Sequence, residues 1–495
     1  MADSGGRINK QEGLKMKKIR NFLICALLCA CIGLLAACGG GMISSSDHWW
    51  TTTGELVKDE DGNVVFDNVE IKLTTVVNGQ DKAVFDTLVA MFNLEYDGQI
   101  RVNSTSVDAS IFENTVSNQI YNNSNAPDLV MMHQKSMRSF AQYQLIQPFD
   151  EAMEASGIAI TPDNYAVQVS QYMSAGYEDR TFGIPIDAQS FAVFYNKEVL
   201  AKYSDTVPSS RSELLEVCRE FTADSSNNGR LPIAWATGTN YFIEYVFPTA
   251  VLQNGGSFYD ADSMRTNWYD NEENRAAYTA AIESIRELID LGYAAYGEAN
   301  SNALSQFIRG ERLFYFATPW SMQDLIGNYA RTIGVTQAEL IENVLGGASM
   351  AGWFAMSDNP AKNSIYGDSH FFTMTKTVRD INEKAAILEF ARWFTSEASI
   401  GVEWAKAGHV SVSNAITASD EYQNEIYVSE YIGKFYGDIN NFNCIGTTPY
   451  YDTIITNLCG LFTDTVDDTT VTIAPRIKQR QDDANTVIDF ANMGV

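Results

Sequence analysis

The sequence predicts an α/β protein folded as two lobes, and three observations carry that expectation. Apolar residues alternate at period two and then recur at helical spacing, so strand and helix patterns follow one another along the chain. Of 495 residues, the 458 that follow position 37 are too many for one hydrophobic core. No repeat of fixed period is present. Strands separated by helical patterns imply largely parallel sheets in both lobes.

The N-terminal stretch is an export leader by its charge and hydropathy. Met16-Lys17-Lys18-Ile19-Arg20 is a basic start, Phe22 to Ala37 is uncharged, and Leu35-Ala36-Ala37 puts small residues before Cys38. The run is shorter than the roughly 20 apolar residues that span a bilayer. It resembles a bacterial lipobox, which implies cleavage after Ala37 and acylation of Cys38, with several acyl chains because one is a marginal anchor. Residues 1 to 15 are polar, and Met16 is a second candidate start. From Gly39-Gly40-Gly41 to Thr51-Thr52-Thr53 the composition is that of a flexible tether.

After the tether, Leu56-Val57 and Val64-Val65-Phe66 flank Asp59-Glu60-Asp61-Gly62-Asn63, which reads as a short hairpin. The glycine stands in the wrong place for a calcium loop. Val69, Ile71, Leu73, Thr75 and Val77 alternate as a strand, and Phe85, Leu88, Val89 and Phe92 follow at helical spacing. Further strands are expected at Asp128 to Met132, and from Phe182 to Ile186 on through Phe191, Val193 and Tyr195. Ser210-Arg211-Ser212-Glu213 is a capping box that opens a helix carrying Leu214 and Cys218. Tyr278, Ile282, Ile285 and Ile289 mark another helix; Ile387, Phe390, Ala391 and Phe394 mark a third.

Charge and cysteines narrow the function. The net charge is −28, and the segment up to position 37 holds six basic against two acidic residues, so the remainder is more negative still. Such a surface repels phosphate backbones, which excludes nucleic acid and disfavours anionic substrates. Beyond Cys38 only Cys218, Cys444 and Cys459 remain, an odd number that describes no disulfide framework. Cys218 is expected to be a buried thiol; a Cys444–Cys459 bridge stays open.

The segment Gly183-Ile184-Pro185-Ile186-Asp187-Ala188-Gln189-Ser190-Phe191-Ala192-Val193-Phe194-Tyr195-Asn196-Lys197-Glu198-Val199-Leu200 resembles the most recognisable stretch of family 1 extracellular solute-binding proteins, the maltose-binding-protein-like group. Four further segments are similar to parts of that family in the same order. These are Pro208 to Phe221, with Ser210 and Arg211 in place of Thr-Trp; Gly310-Glu311-Arg312 to Thr318-Pro319-Trp320, with Thr318 in place of glycine; Ser369 to Lys376; and Thr448-Pro449-Tyr450-Tyr451. The resemblance spans about residues 66 to 490. It implies a two-lobed periplasmic-binding-protein-like fold of type II, whose lobes are joined by hinge strands and close around a ligand without catalysis. By analogy, lobe one comprises residues 66–188 and 371–412 and lobe two residues 192–368 and 416–495, after a leader (1–37) and an acylated tether with its hairpin (38–65).

The same resemblance implies a receptor for an ABC importer, monomeric, lipid-anchored outside the cell membrane, handing a carbohydrate to permease subunits without metal or cofactor. A sugar site needs flat aromatic platforms and hydrogen-bonding side chains. The aromatic candidates are Trp235, Tyr241, Trp320 and Tyr450, whereas Trp353, Trp393 and Trp404 are expected to pack the core. The polar candidates are Asn78 at the end of the first strand, His133 and Gln134 after the second, and Asp187 with Gln189 at the first crossing, because strand ends present ligand contacts in open α/β sheets. His370, before Phe371-Phe372, is a further candidate. Gln189 stands where the maltose-binding branch has a carboxylate.

Rival functions have little support. There is no phosphate-binding loop ending in Lys-Ser, and His48, His133, His370 and His409 are too far apart in sequence for a local zinc motif. Gly347-Ala348-Ser349-Met350-Ala351 ends in Ala where a nucleophile elbow needs Gly. A glycoside hydrolase using paired carboxylates, an adhesin, and binding of peptides or polyamines remain as alternatives.

Overall fold

The computed structural model describes residues 48–177, 180–237, 240–435 and 439–493. The leader, Cys38 and most of the tether lie outside them. Trp49–Ala484 forms one compact unit. The other unit, residues 1–48 and 485–495, is described only at His48 and at 485–493, which include the end of the helix Ile473–Asn492. Among the described residues no helix is long and apolar enough to cross a membrane.

The tether hairpin forms: Asp59 N donates to Asn63 O (2.9 Å) and Val65 N to Val57 O (2.9 Å), with Gly62 at φ +86 supplying the left-handed turn position. Among the described residues fourteen short strands follow: β1 (Val69–Thr75), β2 (Ile100–Ser106), β3 (Leu129–His133), β4 (Ile146–Gln147), β5 (Ile184–Pro185), β6 (Asp187–Ala188), β7 (Ala192–Asn196), β8 (Ile233–Ala234), β9 (Phe314–Ala317), β10 (Leu345–Ala348), β11 (Ile365–Tyr366), β12 (His370–Thr375), β13 (Val410–Ser411) and β14 (Phe442–Asn443).

The first lobe is built on the order β2-β1-β3-β12-β4, with β5 also on β12. Helix Asp81–Glu95 returns the chain from β1 to β2, burying Phe85, Leu88, Val89 and Phe92 as their spacing predicts. Helix Ile381–Ser396 buries Ile387, Phe390, Ala391 and Phe394. The second lobe is built on the order β10-β7-β9-β8. Its helix Arg211–Ala223 is capped by Ser210, which accepts from Glu213 N, but the Glu213 carboxylate turns back to Ser209 N (2.7 Å) rather than to Ser210. Cys218 is buried on its inner face, and Cys218, Cys444 and Cys459 are all free thiols.

The sheets depart from the parallel expectation. Strands β1, β2 and β3 run parallel, as do β8 and β9, but β12 is antiparallel to β3, β4 and β5, and β7 is antiparallel to β9 and β10. Each exception arises where the chain changes lobes, so a strand enters the sheet without a crossover helix to reverse it. The stretch that reads as one long strand, Phe182 to Tyr195, is three: β5 pairs with β12, β6 with β13, and β7 with β9 and β10.

The motif residue Arg312 is structural. Buried beside Glu298 (2.8 Å), it donates to the carbonyls of Leu231 and Ile233 (both 3.2 Å) and so binds the approach to β9 to β8. Both charges are withdrawn from water and therefore need each other.

Candidate functional site

Three chain segments meet where the lobes join: β6 and its continuation to β7, the run Ile365–His370, and His409 leading into β13. Backbone pairing ties them together, Ser411 with Asp187 and Gln189 with Asp368. At their centre lies a buried polar network. Asp187 Oδ2 accepts from His370 Nδ1 (2.9 Å) and Trp404 Nε1 (2.9 Å), and Asp187 Oδ1 from His370 N (2.9 Å). His409 Nδ1 lies 3.0 Å from Asp187 Oδ2, an ion pair less well aligned than a hydrogen bond. His409 Nε2 lies 3.2 Å from Asp81 Oδ2, at the first turn of helix Asp81–Glu95.

With a carboxylate on each ring nitrogen, His409 is an imidazolium, its face stacked on Trp404 at 4.0 Å and 8°. Burial by itself would lower its pKa, but Asp187 and Asp81 outweigh burial and raise it to about 9. Burial opposes ionisation of Asp187 too, yet His370 and His409 hold its carboxyl well below the usual range. One ligand atom from each of Asp187, His370 and His409 lies within 4.8 Å of the others, a separation compatible with a metal ion. The Trp404 N–H donates to the same Asp187 oxygen that faces both histidines, so one carboxylate ties three side chains together.

Gly408 lets this hinge touch the second lobe. It adopts φ +100, and a Cβ there would sit 2.1 Å from Pro319 O, so any side chain would push the loop Pro319–Ser321 away.

Beside the hinge lies the cleft floor. His133 is half-buried and stacks on His370 (4.9 Å, 26°); burial and the Lys135 charge lower its pKa, leaving a neutral ring. Gln134 donates to Gly446 O (3.2 Å) across from the first lobe, while its Oε1 is buried without a partner. In the second lobe the half-buried Trp320 packs against Tyr245 (6.4 Å) and Tyr245 against Tyr366 (6.1 Å); Tyr245, Tyr366 and Tyr451 are buried, and the Tyr451 ring centre lies 4.6 Å from Lys135 Nζ. Burial alone would lower the Lys135 pKa, but Asp368, Tyr245, Glu244 and Glu113 prevail and raise it. The Asp368 carboxyl is shifted up, burial outweighing Lys135.

This geometry sorts the sequence candidates. His133 and Gln134 adjoin the buried network, Trp320 is half-buried beside Tyr245 (6.4 Å), and Tyr450 is half-buried, 6.2 Å from Tyr259. Gln189 is buried, with Nε2 3.4 Å from His370 Nε2. Tyr241 is in helix Asn240–Gln253, but its side chain lies outside the described residues.

Asn78, the first exposed residue after the buried Val76 and Val77, donates to Asp108 (3.3 Å). Three expectations need correction. Trp235 follows the edge strand β8 and is wholly buried: it donates to Ala295 O (2.8 Å) and packs on Phe242 (5.3 Å) and Phe316 (6.1 Å). Asp187 and His370 are spent on the hinge, where their bonds hold the crossings together. Replacing Trp235 by alanine should therefore cost about 3–5 kcal/mol of stability in a denaturant titration, with solute affinity retained by the folded fraction.

Sequence reasoning missed Lys135, Asp368, Tyr245, Tyr366 and Tyr451. Lys135 follows the strand-end pair His133-Gln134 by one residue, so the same strand-end argument reaches it; the others become neighbours only through folding.

The profile of bacterial extracellular solute-binding proteins matches residues 49–400, more than half of the chain. The chain belongs to that family. No curated protein matches its sequence. Among solved structures, this solute-binding protein is similar in fold to the sugar-binding protein MalE from Xanthomonas citri, at 14% identity and TM-score 0.69 over 86% of this chain and 98% of that one. It is also similar to the GacH receptor of Streptomyces glaucescens, solved unliganded and with acarbose (16%, TM-score 0.64, 85% and 98%). A third is the maltose/maltodextrin-binding domain MalE from Bdellovibrio bacteriovorus, bound to maltotriose (17%, TM-score 0.61, 85% and 100%). The expected two-lobed α/β architecture is thus the observed one.

Proposed function

We propose that this solute-binding protein captures a carbohydrate, an oligosaccharide, in the cleft between its lobes and delivers it to the permease of an ABC importer. The half-buried aromatic side chains Trp320 and Tyr450, with the polar groups of His133, Gln134 and Lys135 from the other lobe, carry this reading. Apolar sugar faces need such platforms, and their hydroxyl rims need such neighbours. The maltodextrin and acarbose ligands of the structural neighbours support it. Lobe one is assigned to residues 66–188 and 371–412 and lobe two to 192–368 and 416–495, with the buried network as hinge. The protein binds its solute unchanged, as a monomer, without metal or cofactor, and is not an enzyme.

Acylation at Cys38 would hold it on the outer face of the membrane; the lipobox pattern supports this, and mass spectrometry of the native protein tests it, since an unmodified Cys38 refutes anchoring. For the ligand, a thermal-shift panel of mono- and oligosaccharides should stabilise the protein with one sugar class, because a ligand of the folded state raises its melting temperature. A shift with peptides or polyamines alone would reverse the assignment. Trp320→Ala should weaken the binding sugar by about 1–3 kcal/mol in calorimetry, with the unliganded melting curve nearly unchanged.

A further inference from the structure

Lys135 and Asp368 are oppositely charged neighbours that do not pair. Lys135 follows His133 and Gln134 at the end of β3, in the first turn of helix Gln134–Gln142, and Asp368 sits on the crossing just before β12, bridged in backbone to Gln189. Gln134 N donates to Ser369 O (2.7 Å), which brings the two segments side by side. Asp368 exerts the largest electrostatic influence on Lys135, yet among the described residues neither forms an ion pair. The Lys135 ammonium, half-buried, lies 4.6 Å from the centre of the Tyr451 ring, with Tyr245, Glu244 and Glu113 acting on it besides Asp368. Asp368 is 4% exposed; Oδ1 accepts from Ser369 N (2.8 Å), the Lys135 backbone N–H also faces the carboxyl, and among the described residues Oδ2 is buried without a hydrogen-bond partner. The neighbouring Gln134 Oε1 is a second buried acceptor left open.

Folded proteins seldom leave such groups unmatched, because an open buried acceptor carries its full desolvation cost. Lys135 can only donate, and the open oxygens of Asp368 and Gln134 can only accept while Asp368 is ionised. A group that satisfies both must accept and donate at once. A protonated amine cannot accept from Lys135, and a carboxylate cannot donate to Asp368. A hydroxyl does both.

We propose that Lys135 and Asp368 read one hydroxyl of the bound solute, Lys135 Nζ donating to its oxygen and Asp368 Oδ2 accepting a hydrogen bond from its O–H, so that this position takes a hydroxyl in preference to an ammonium or a carboxylate and the cleft favours neutral saccharides over polyamines. Gln134 Oε1 takes an adjacent hydroxyl. This rests on the carbohydrate reading above and narrows it. Lys135 also lies on Tyr451 of the other lobe, so the solute that completes the pair is held from both sides.

Four probe sets test the pair by thermal shift and calorimetry on the purified protein: neutral gluco-oligosaccharides, chitosan oligosaccharides with free amines, oligogalacturonates, and spermidine. The neutral set should stabilise the protein most, the charged saccharides less, and spermidine not at all. Lys135→Met and Asp368→Asn should each weaken the best neutral oligosaccharide about 10- to 100-fold, the usual cost of a lost hydrogen bond to a charged group. The double variant should bind no more weakly than the worse single one, because either change breaks the same bridge. If the two residues merely balanced each other's charge, the double variant would recover affinity, and the proposal would fall. Unchanged affinity in both single variants, or tighter binding of an amine or uronate probe, would overturn it while leaving a binding protein. No shift with any saccharide would overturn the carbohydrate reading itself.

Discussion

Asp187→Ala should lower the stability of the protein by about 3–5 kcal/mol, the largest single-residue effect expected outside the aromatic core. The carboxylate is wholly buried and is the common acceptor for His370, Trp404 and the His370 backbone N–H, with the His409 imidazolium beside it. Removing it strands a buried positive charge and three donors in a site water does not reach. A buried ion pair adds little over a well-packed apolar substitute, but taking away one partner alone is costly. The crossings are cut at the same stroke, since Asp187 belongs to β6, and its partner β13 begins one residue after His409. A urea titration followed by tryptophan fluorescence measures the loss; Asp81→Asn, which leaves His409 its nearer carboxylate, should cost less. A loss under about 1 kcal/mol for Asp187→Ala would mean that packing, not this network, holds the hinge.

Stability should also fall as the solution turns alkaline, by an amount traceable to His409. Its pKa rises from the ordinary 6.5 to about 9 on folding, so folding takes up a proton between those values. The extra stability is fully present below pH 6.5, shrinks through the interval and is gone once the pH has passed 9. A raised pKa of this size corresponds to roughly 3 kcal/mol. At the acid end the sign reverses: Asp187, held low by His370 and His409, supplies stability above the normal carboxylate range and loses it on further acidification. The groups facing His409 are Asp81 from helix Asp81–Glu95, Asp187 from β6, His370 from β12 and the Trp404 ring. Unfolding midpoints at pH 6 and pH 9.5 for the wild type and His409→Gln isolate the effect, because other titrations are common to both. A difference that does not change with pH would place the proton elsewhere.

Much of this was legible in the chain. The spacing of Phe85, Leu88, Val89 and Phe92 required a helix with one buried face, and the capping box at Ser210 required a helix start; both are local, and both are present. Alternation from Phe182 to Tyr195 correctly reported extended backbone. It could not report that the strand is shared among three sheets, because partners are chosen by the lobe each segment enters. The histidines are the sharpest case. His133, His370 and His409 share no sequence motif, yet His370 stands 4.9 Å from one and 5.5 Å from the other. The aromatic candidates divided for a similar reason: Trp235 and Trp320 both follow short strands, and only tertiary packing buries the first against Phe242 and Phe316 and leaves the second half-buried beside Tyr245.

By itself the sequence determined the α/β alternation, the acidic composition and the ordered motifs that imply a solute-binding protein. Those properties are periodic, compositional or local, and a single chain displays them before it folds. Tertiary structure alone decided the mixed strand directions, the imidazolium locked between Asp81 and Asp187, and the open pair of Lys135 and Asp368. Each joins residues hundreds of positions apart, where geometry rather than spacing sets who meets whom, and where burial turns an ordinary side chain into a charge that must find a partner.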